Sequence, residues 1–136
     1  MSYKQDNISQ STAYKVKNMN KSELQSKLTV EDGKQNVSKI PGVEVEIDWY
    51  NPDCAVICHF WIDPKIRGIS IGTIVIKYVI NELRKINRID YLDISIQAPN
   101  KGSINLLEKF NFQNINSYDK SEFKNQVVEG RYNLTK

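Results

Sequence analysis

The clearest alternation in the chain runs from Val43 to Tyr50. Val43, Val45, Ile47 and Trp49 fall on one side of an extended backbone, and Glu44, Glu46 and Asp48 fall on the other. A period of two predicts a half-buried strand, here with an acidic outer face. Asn51-Pro-Asp53 is a turn signal. The run Ala55-Val-Ile-Cys-His-Phe-Trp-Ile62 is then apolar almost throughout, which predicts a central strand covered on both faces and joined to the first as a hairpin. From Gly72 to Asn87 the period changes. Ile76, Val79, Ile80, Leu83 and Ile86 recur at helical spacing, while Lys77, Asn81, Arg84 and Lys85 fall on the other side. The β-branched content of Ile69 to Ile80 would also suit a strand, but length and the polar residues after Asn81 favour the helix.

The remaining elements follow from shorter signals. Tyr91 to Ala98 reads as a strand closed by Pro99, Gly102 or Ser103 to Phe110 as a short helix, and Phe112 onward as extended. Gln126 to Thr135 reads as a last strand, with Gly130 marking a bulge. Before the hairpin, Thr12 to Lys17 reads as a short strand. Ser22 to Leu28 reads as a helix capped by Ser22, and residues 34–40 as a second helical piece stopped by Pro41-Gly42. Hairpin, helix, strand, helix, strand, strand is an α+β order with one β-helix-β crossover.

Composition narrows the class without choosing a function. A chain of 136 residues allows one domain, expected to be flexible over residues 1–20. Hydrophobic residues at 40% and charged residues at 26% are ordinary for a globular protein. A net charge of +3 does not point to nucleic acid, and no apolar stretch is long enough to span a membrane. Cys54 and Cys58 on one strand stand about 13 Å apart, whereas a disulfide needs less than about 7 Å. One histidine, His59, and no second cysteine pair do not make a zinc site. Two free thiols and no export signal lead to the expectation of a cytoplasmic protein.

The segment Ile62-Asp-Pro-Lys-Ile-Arg-Gly-Ile-Ser-Ile-Gly-Thr73 carries the chemistry. A strand ends, a loop turns over two glycines, and a helix begins with unpartnered N–H groups and a positive dipole end. An anion, most often a phosphate, suits that place. Gly68 and Gly72 permit close backbone approach, and Arg67 supplies a fixed cationic fork. The spacing matches neither the nucleotide P-loop nor the dinucleotide fingerprint. A purely structural strand-to-helix turn has the same spacing, and the two readings stand side by side at this point.

Arg67-Gly-Ile-Ser70-Ile-Gly72 resembles the acyl-CoA pyrophosphate loop of the GNAT N-acetyltransferases, Arg/Gln-x-x-Gly-x-Gly/Ala. Asn100-Lys-Gly-Ser103-Ile-Asn-Leu106-Leu107-Glu108-Lys109-Phe110-Asn111-Phe112 is similar to that family's Asn-x-x-Ala-x-x-Leu-Tyr-Glu-Lys-x-Gly-Phe. The two motifs are separated by one helix and one strand, as in the family, and Glu129 to Lys136 resembles its closing strand. The resemblance covers Val43 to the end, which becomes the expected cofactor-binding core of a single GNAT-like domain with a mixed, mostly antiparallel sheet.

That resemblance implies acetyl-CoA as cofactor, in a gap where the strands Ala55–Ile62 and Tyr91–Ala98 splay apart at Ile62 and Ala98. It implies pantetheine contacts from the backbone of Trp61, Ile62 and Asp63. It implies pyrophosphate contacts from Arg67 and the backbone of Gly68, Ile69, Ser70, Ile71, Gly72 and Thr73, with Asn100 and Ser103 also on the cofactor. An amine on a small molecule, a protein or an aminoacyl group would attack the thioester directly, with a backbone N–H near Ile62 stabilising the oxyanion. A non-catalytic acyl-CoA-binding module is the alternative.

Three departures qualify the match. Ser70 replaces a glycine, which costs about 1 kcal/mol or more if its φ is positive. Leu107 stands where the family often has the tyrosine that protonates the leaving thiolate, leaving Tyr118 or Tyr132 as substitutes. The central strand lacks the family's glutamate base. His59 has a suitable intrinsic pKa for that role, or is a structural histidine bonded to backbone. Asp48 and Glu46 could act through a water, form a solvated face, or, with Glu44, attract a cationic amine. Only one strand precedes the central one unless Thr12–Lys17 supplies another, so the acceptor pocket is expected to be open or completed by a second subunit.

Overall fold

Residues 10–17 form a helix, not the strand expected for 12–17. α1 (Gln10–Lys17) is started by Ser9, whose Oγ accepts the Thr12 N–H at 3.1 Å, and it buries Ala13 and Val16, three apart on one face. Lys15 and Lys17 in its last turn suit the negative dipole end. α2 (Lys21–Ser26) is capped by Asn20 rather than Ser22. Asn20 Oδ1 accepts the Glu23 N–H at 2.8 Å and Glu23 Oε1 accepts the Asn20 N–H at 3.3 Å, a reciprocal capping box. Leu24 and Leu28 are both buried, as their spacing implied. The structure, a computed structural model, describes residues 7–68, 70–97, 101–120 and 125–134, and the backbone alone of 101–103, 117–120 and 125–126.

Residues 34–40 are extended where a helical piece was expected. The Val37 N–H donates to Val45 O at 3.1 Å and the Ile47 N–H to Gln35 O at 2.8 Å. Tertiary pairing decides this: the outer edge of β1 (Val43–Asp48) offers unpaired backbone groups, and this stretch satisfies them and shields the edge. It adds a rudimentary partner strand on the side where only one strand could be read.

β1 pairs antiparallel with β2 (Cys54–Ile62), and its burial alternates as predicted, with Val43, Val45 and Ile47 inside. α3 (Ile71–Leu83) carries Ile71, Val75, Ile76, Val79, Ile80 and Leu83 into the core, while Lys77, Asn81, Arg84 and Lys85 are exposed. The helical period therefore outweighs the β-branched content, because one face buries six large side chains. β3 (Tyr91–Gln97) returns parallel to β2, and α4 (Lys101–Lys109) leads to β4 (Gln113–Lys120) and β5 (Asn125–Asn133). The five strands form one mixed sheet in the order β1-β2-β3-β5-β4, with every neighbouring pair but β2–β3 antiparallel.

Gly130 is not itself a bulge. It pairs in regular register with Ile94, and the register shift lies opposite, on β4 between Gln113 and Asn116, where Asn114 has φ 55°. A Cβ at Gly130 would stand 3.5 Å from Phe112 and Ile115, an ordinary contact distance, so space does not demand the glycine. α4 ends in a left-handed cap at Asn111, φ 61°, a conformation asparagine tolerates. One hydrophobic cluster joins the inner sides of β1, β2, β3 and β5 to α3, with Leu24 and Leu107 in the same core. Among the described residues no helix is long and apolar enough to cross a membrane.

Candidate functional site

The parallel pairing of β2 and β3 stops early. Cys54 to Ile57 lie opposite Tyr91 to Ile94, and beyond them β2 pairs only with β1 while β3 pairs only with β5. The strands were expected to part at Ile62 and Ala98, but they part just past Ile57 and Ile94. The cause is local. Ile57 faces Ile47 and His59 faces Glu46, which leaves Cys58 as one extra residue in β2. A bulge bends its strand and interrupts the ladder. The β3-facing backbone of residues 58–62 and the β2-facing backbone of residues 95–97 thus border a gap. Ala98 lies outside the described residues.

The loop after β2 closes one end of that gap. Pro64–Ile66 is a single 3-10 turn capped by Asp63, whose Oδ1 accepts the Lys65 N–H at 2.8 Å. Arg67 follows, its Nε donating to the Ile62 carbonyl at 2.8 Å, which fixes the exposed guanidinium at the end of β2. Gly68 has φ 87°, beyond the reach of most side chains. Ser70, the N-cap of α3, has φ 64° and makes no capping hydrogen bond with its side chain. A serine held left-handed costs about 1–2 kcal/mol, and such outliers cluster at functional sites. None of the described residues accepts from the N–H groups of Gly68, Ser70, Ile71, Gly72 or Thr73. They form a bare positive helix end. Gly72 sits close to its neighbours: a Cβ there would stand 3.3 Å from Leu106, which would have to give slightly, and 3.4 Å from Ile62.

One cation at this place was not singled out from the sequence. Lys109 Nζ donates to Thr73 Oγ1 at 3.2 Å, which brings an exposed ammonium to the first turn of α3. A cation beside a positive dipole end, with a neutral hydroxyl as its one partner among the described residues, gains from an anion placed between them. The signal was present, since Lys109 belongs to the second motif, but only the packing of α4 against the start of α3 shows its target. Ile69 and Asn100 lie outside the described residues, and of Ser103 only its place in the first turn of α4 is described.

The candidate acid–base groups separate. His59 is buried, and its Nε2 pairs with Glu44 Oε1 at 2.8 Å on the splayed part of β2. Glu46 Oε1 accepts from Gln35 Nε2 at 2.7 Å. Asp48 stands opposite Val56, where β2 is still paired with β3, and its Oδ1 accepts the Tyr50 N–H at 2.9 Å. The structure therefore does not bring Asp48 to the gap. Tyr132 is also remote, opposite Leu92 at the paired end, with its hydroxyl accepting from Arg84 Nη2 at 2.9 Å. The backbone of Tyr118 lies opposite Val127, which faces Gln97 at the splayed end. Leu107 is buried in the core. Trp61 and Ile62 border the gap, but the Asp63 N–H donates to Gly42 O at 2.8 Å and is committed there. Both cysteines are free thiols. Burial, then the charges of Glu46 and Asp48, push the Cys58 thiol up; burial, then the charge of Asp93, push Cys54 up to about 12. Neither is poised as a nucleophile at neutral pH.

A search of curated proteins returns no match. Solved structures do match in fold. The ribosomal-protein-S18-alanine N-acetyltransferase of Escherichia coli superposes with a TM-score of 0.59 at 13% identity, over 96% of this chain and 93% of that one. An N-acetyltransferase of Staphylococcus aureus Mu50 gives 0.54 at 20% identity, over 68% and 61%. A putative acetyltransferase of Salmonella typhimurium, solved with acetyl-CoA, gives 0.58 at 13% identity, over 74% and 62%. The chain spans less than two thirds of the length of the last two. The model of the acetyltransferase (GNAT) family matches residues 28–112, which is more than half of the chain and reaches upstream of Val43 into the segment that edges β1. This match shows that the chain belongs to the GNAT acetyltransferase family.

Proposed function

We propose that the protein transfers an acetyl group from acetyl-CoA to an amine by direct attack. The observation that carries this reading is the continuity of the gap between β2 and β3 with a bare helix start flanked by Arg67 and Lys109. Acetyl-CoA supplies an activated acyl group on a thiol leaving group. The chain supplies position and charge. The N–H groups of Gly68 and Ser70 to Thr73, with Ile69 between them, face the pyrophosphate, and Arg67 and Lys109 neutralise it. Asn100 and Ser103 complete the cofactor side. The backbone of Trp61 and Ile62 lines the pantetheine, and an N–H near Ile62 stabilises the negative charge that develops on the carbonyl oxygen. His59, oriented by Glu44, accepts the proton of the attacking amine. With the Tyr132 hydroxyl bound to Arg84, Tyr118 is the residue assigned to protonate the leaving thiolate. The high pKa of Cys58 favours direct attack over an acyl-enzyme.

The acceptor is an amine of a small molecule, a protein N-terminus or an aminoacyl group, and the acidic row of Glu44 and Glu46 favours a cationic one. The solved structure named for an alanine of ribosomal protein S18 makes an alanine-containing peptide with a free amine a member of the test panel. A cytoplasmic location and an acceptor pocket completed by a second copy belong to the same reading. One observation favours a second: with Leu107 in the core, the position of the usual acid carries no hydroxyl, as suits a module that binds acyl-CoA without turnover. Purified protein with acetyl-CoA and a panel of amines, followed by release of free thiol, tests both. Turnover on any amine supports the enzyme, and saturable binding of CoA with no thiol release across the panel supports the module.

A further inference from the structure

Asp63 is fully buried, yet it is the residue through which three distant segments meet. Its Oδ2 accepts the Ile8 N–H at 2.9 Å, from the segment that enters α1, fifty-five positions away. Its Oδ1 accepts the Lys65 N–H at 2.8 Å, and the Lys65 ammonium stands 3.8 Å off. Burial alone would raise its pKa, but the hydrogen bonds from Lys65 and Ile8 and the charges of Lys65 and Arg67 outweigh it and hold the carboxyl below its ordinary value. A buried carboxylate that loses one of two donors is left with an unsatisfied oxygen. The packing around it is tight. Gly42, with φ 83°, accepts the Asp63 N–H, and a Cβ at Gly42 would stand 3.0 Å from Ile8, 3.1 Å from Ile66 and 3.2 Å from Asp63. On its other side Asp63 caps the turn that ends in Arg67, and it adjoins Ile62, whose carbonyl holds Arg67 Nε.

We propose that Asp63 is a positioning residue that couples docking of the segment entering α1 to the geometry of the cofactor loop, so that this segment helps to set the affinity for CoA. The proposal rests on the reading of that loop as the pyrophosphate holder. With the Ile8 N–H in place, both carboxylate oxygens are satisfied, the 3-10 turn is capped and Arg67 is held at the end of β2. Without it, the carboxylate must turn toward other donors and the turn loses its anchor. Coupling of this kind is reciprocal, so CoA in the loop must also strengthen docking at Ile8.

Three variants of the full chain and one measurement on the wild type test it, with CoA itself as the probe. Ile8→Pro removes the one N–H and keeps an apolar side chain. Asp63→Asn keeps the shape but can accept from only one of the two N–H groups. Asp32→Ala breaks the pair of Asp32 with Arg88, far from the loop, and serves as the matched control. Calorimetric titration is expected to show CoA affinity about tenfold weaker in Ile8→Pro and Asp63→Asn and unchanged in Asp32→Ala, with KM for acetyl-CoA raised more than kcat is lowered. In the wild type, exchange of the Ile8 amide proton is expected to slow when CoA saturates the protein. Wild-type CoA affinity in folded Ile8→Pro, or an Ile8 exchange rate indifferent to CoA, overturns the coupling even if Asp63→Asn fails to fold. If the wild type binds no CoA at all, the loop reading itself falls, which is a different result from a wild type that binds and an Ile8→Pro variant that binds equally well.

Discussion

The two ends of the β2–β3 pair are built from the same strands and treat charge in opposite ways. At the paired end two arginines have carboxylate partners. Arg131 makes a two-point contact with Asp93 at 2.7 and 2.9 Å and lies 4.4 Å from the Tyr91 ring, and Arg88 binds Asp32 and the carbonyls of Asn51 and Pro52. At the splayed end Arg67 donates from its Nε to a carbonyl and Lys109 to a neutral hydroxyl. Among the described residues neither has a carboxylate partner. Lys65 at the splayed end is paired with Asp63, so the contrast rests on Arg67 and Lys109, the two cations that the proposed function assigns to the pyrophosphate. The element that separates the two regions is the single extra residue at Cys58, which ends the ladder between β2 and β3.

That contrast can be broken from either side. The largest effect is expected at Ile57, buried in the last paired position: Ile57→Ala should cost about 2–5 kcal/mol in denaturant unfolding, because the core cannot close over the lost methyl groups. At the open end Arg67→Ala should leave unfolding nearly unchanged and weaken CoA binding by about 1–3 kcal/mol. An unchanged affinity in a calorimetric titration would remove Arg67 from the pyrophosphate site. Ser70→Gly should relieve the left-handed strain and raise stability by about 1 kcal/mol in the same unfolding assay, while a fall in stability would show that the serine is held there without strain. The smallest effect is expected for Lys109→Ala. Its exposed ammonium should contribute under about 1 kcal/mol to CoA affinity, and the difference from wild type should shrink as salt is raised. A salt-independent difference would mean that the side chain acts by packing rather than by charge.

Much of this organisation was legible in the residues. The alternation of Val43 to Asp48, the helical spacing from Ile76 to Leu83 and the Arg67–Gly72 motif placed the hairpin, the crossover helix and the loop, because each is a local pattern several residues long. The misreadings share a cause. Thr12 to Lys17 and residues 34–40 are short and weakly patterned, so their state was settled by contacts that periodicity does not report: the Ser9 cap and the burial of Ala13 and Val16 in the core in one case, the free edge of β1 in the other. Asp48 looked like a candidate base because it shares a face with Glu44 and Glu46. Which end of the strand borders the gap depends on where β2 and β3 part, and no residue type announces that.

The sequence by itself determined the element types wherever periodicity is long, the family through two motifs in register, and the chemical character of the loop through two glycines and an arginine. These depend on neighbours within a few positions, where backbone geometry and side-chain direction are tightly linked. The tertiary structure alone decided the start of the splay at Cys58, the approach of Lys109 to Thr73, the pairing of His59 with Glu44 and the burial of Asp63 beneath Ile8. Each of these joins residues whose separation along the chain carries no information about their distance in space, so only the packing of the folded chain can bring them together.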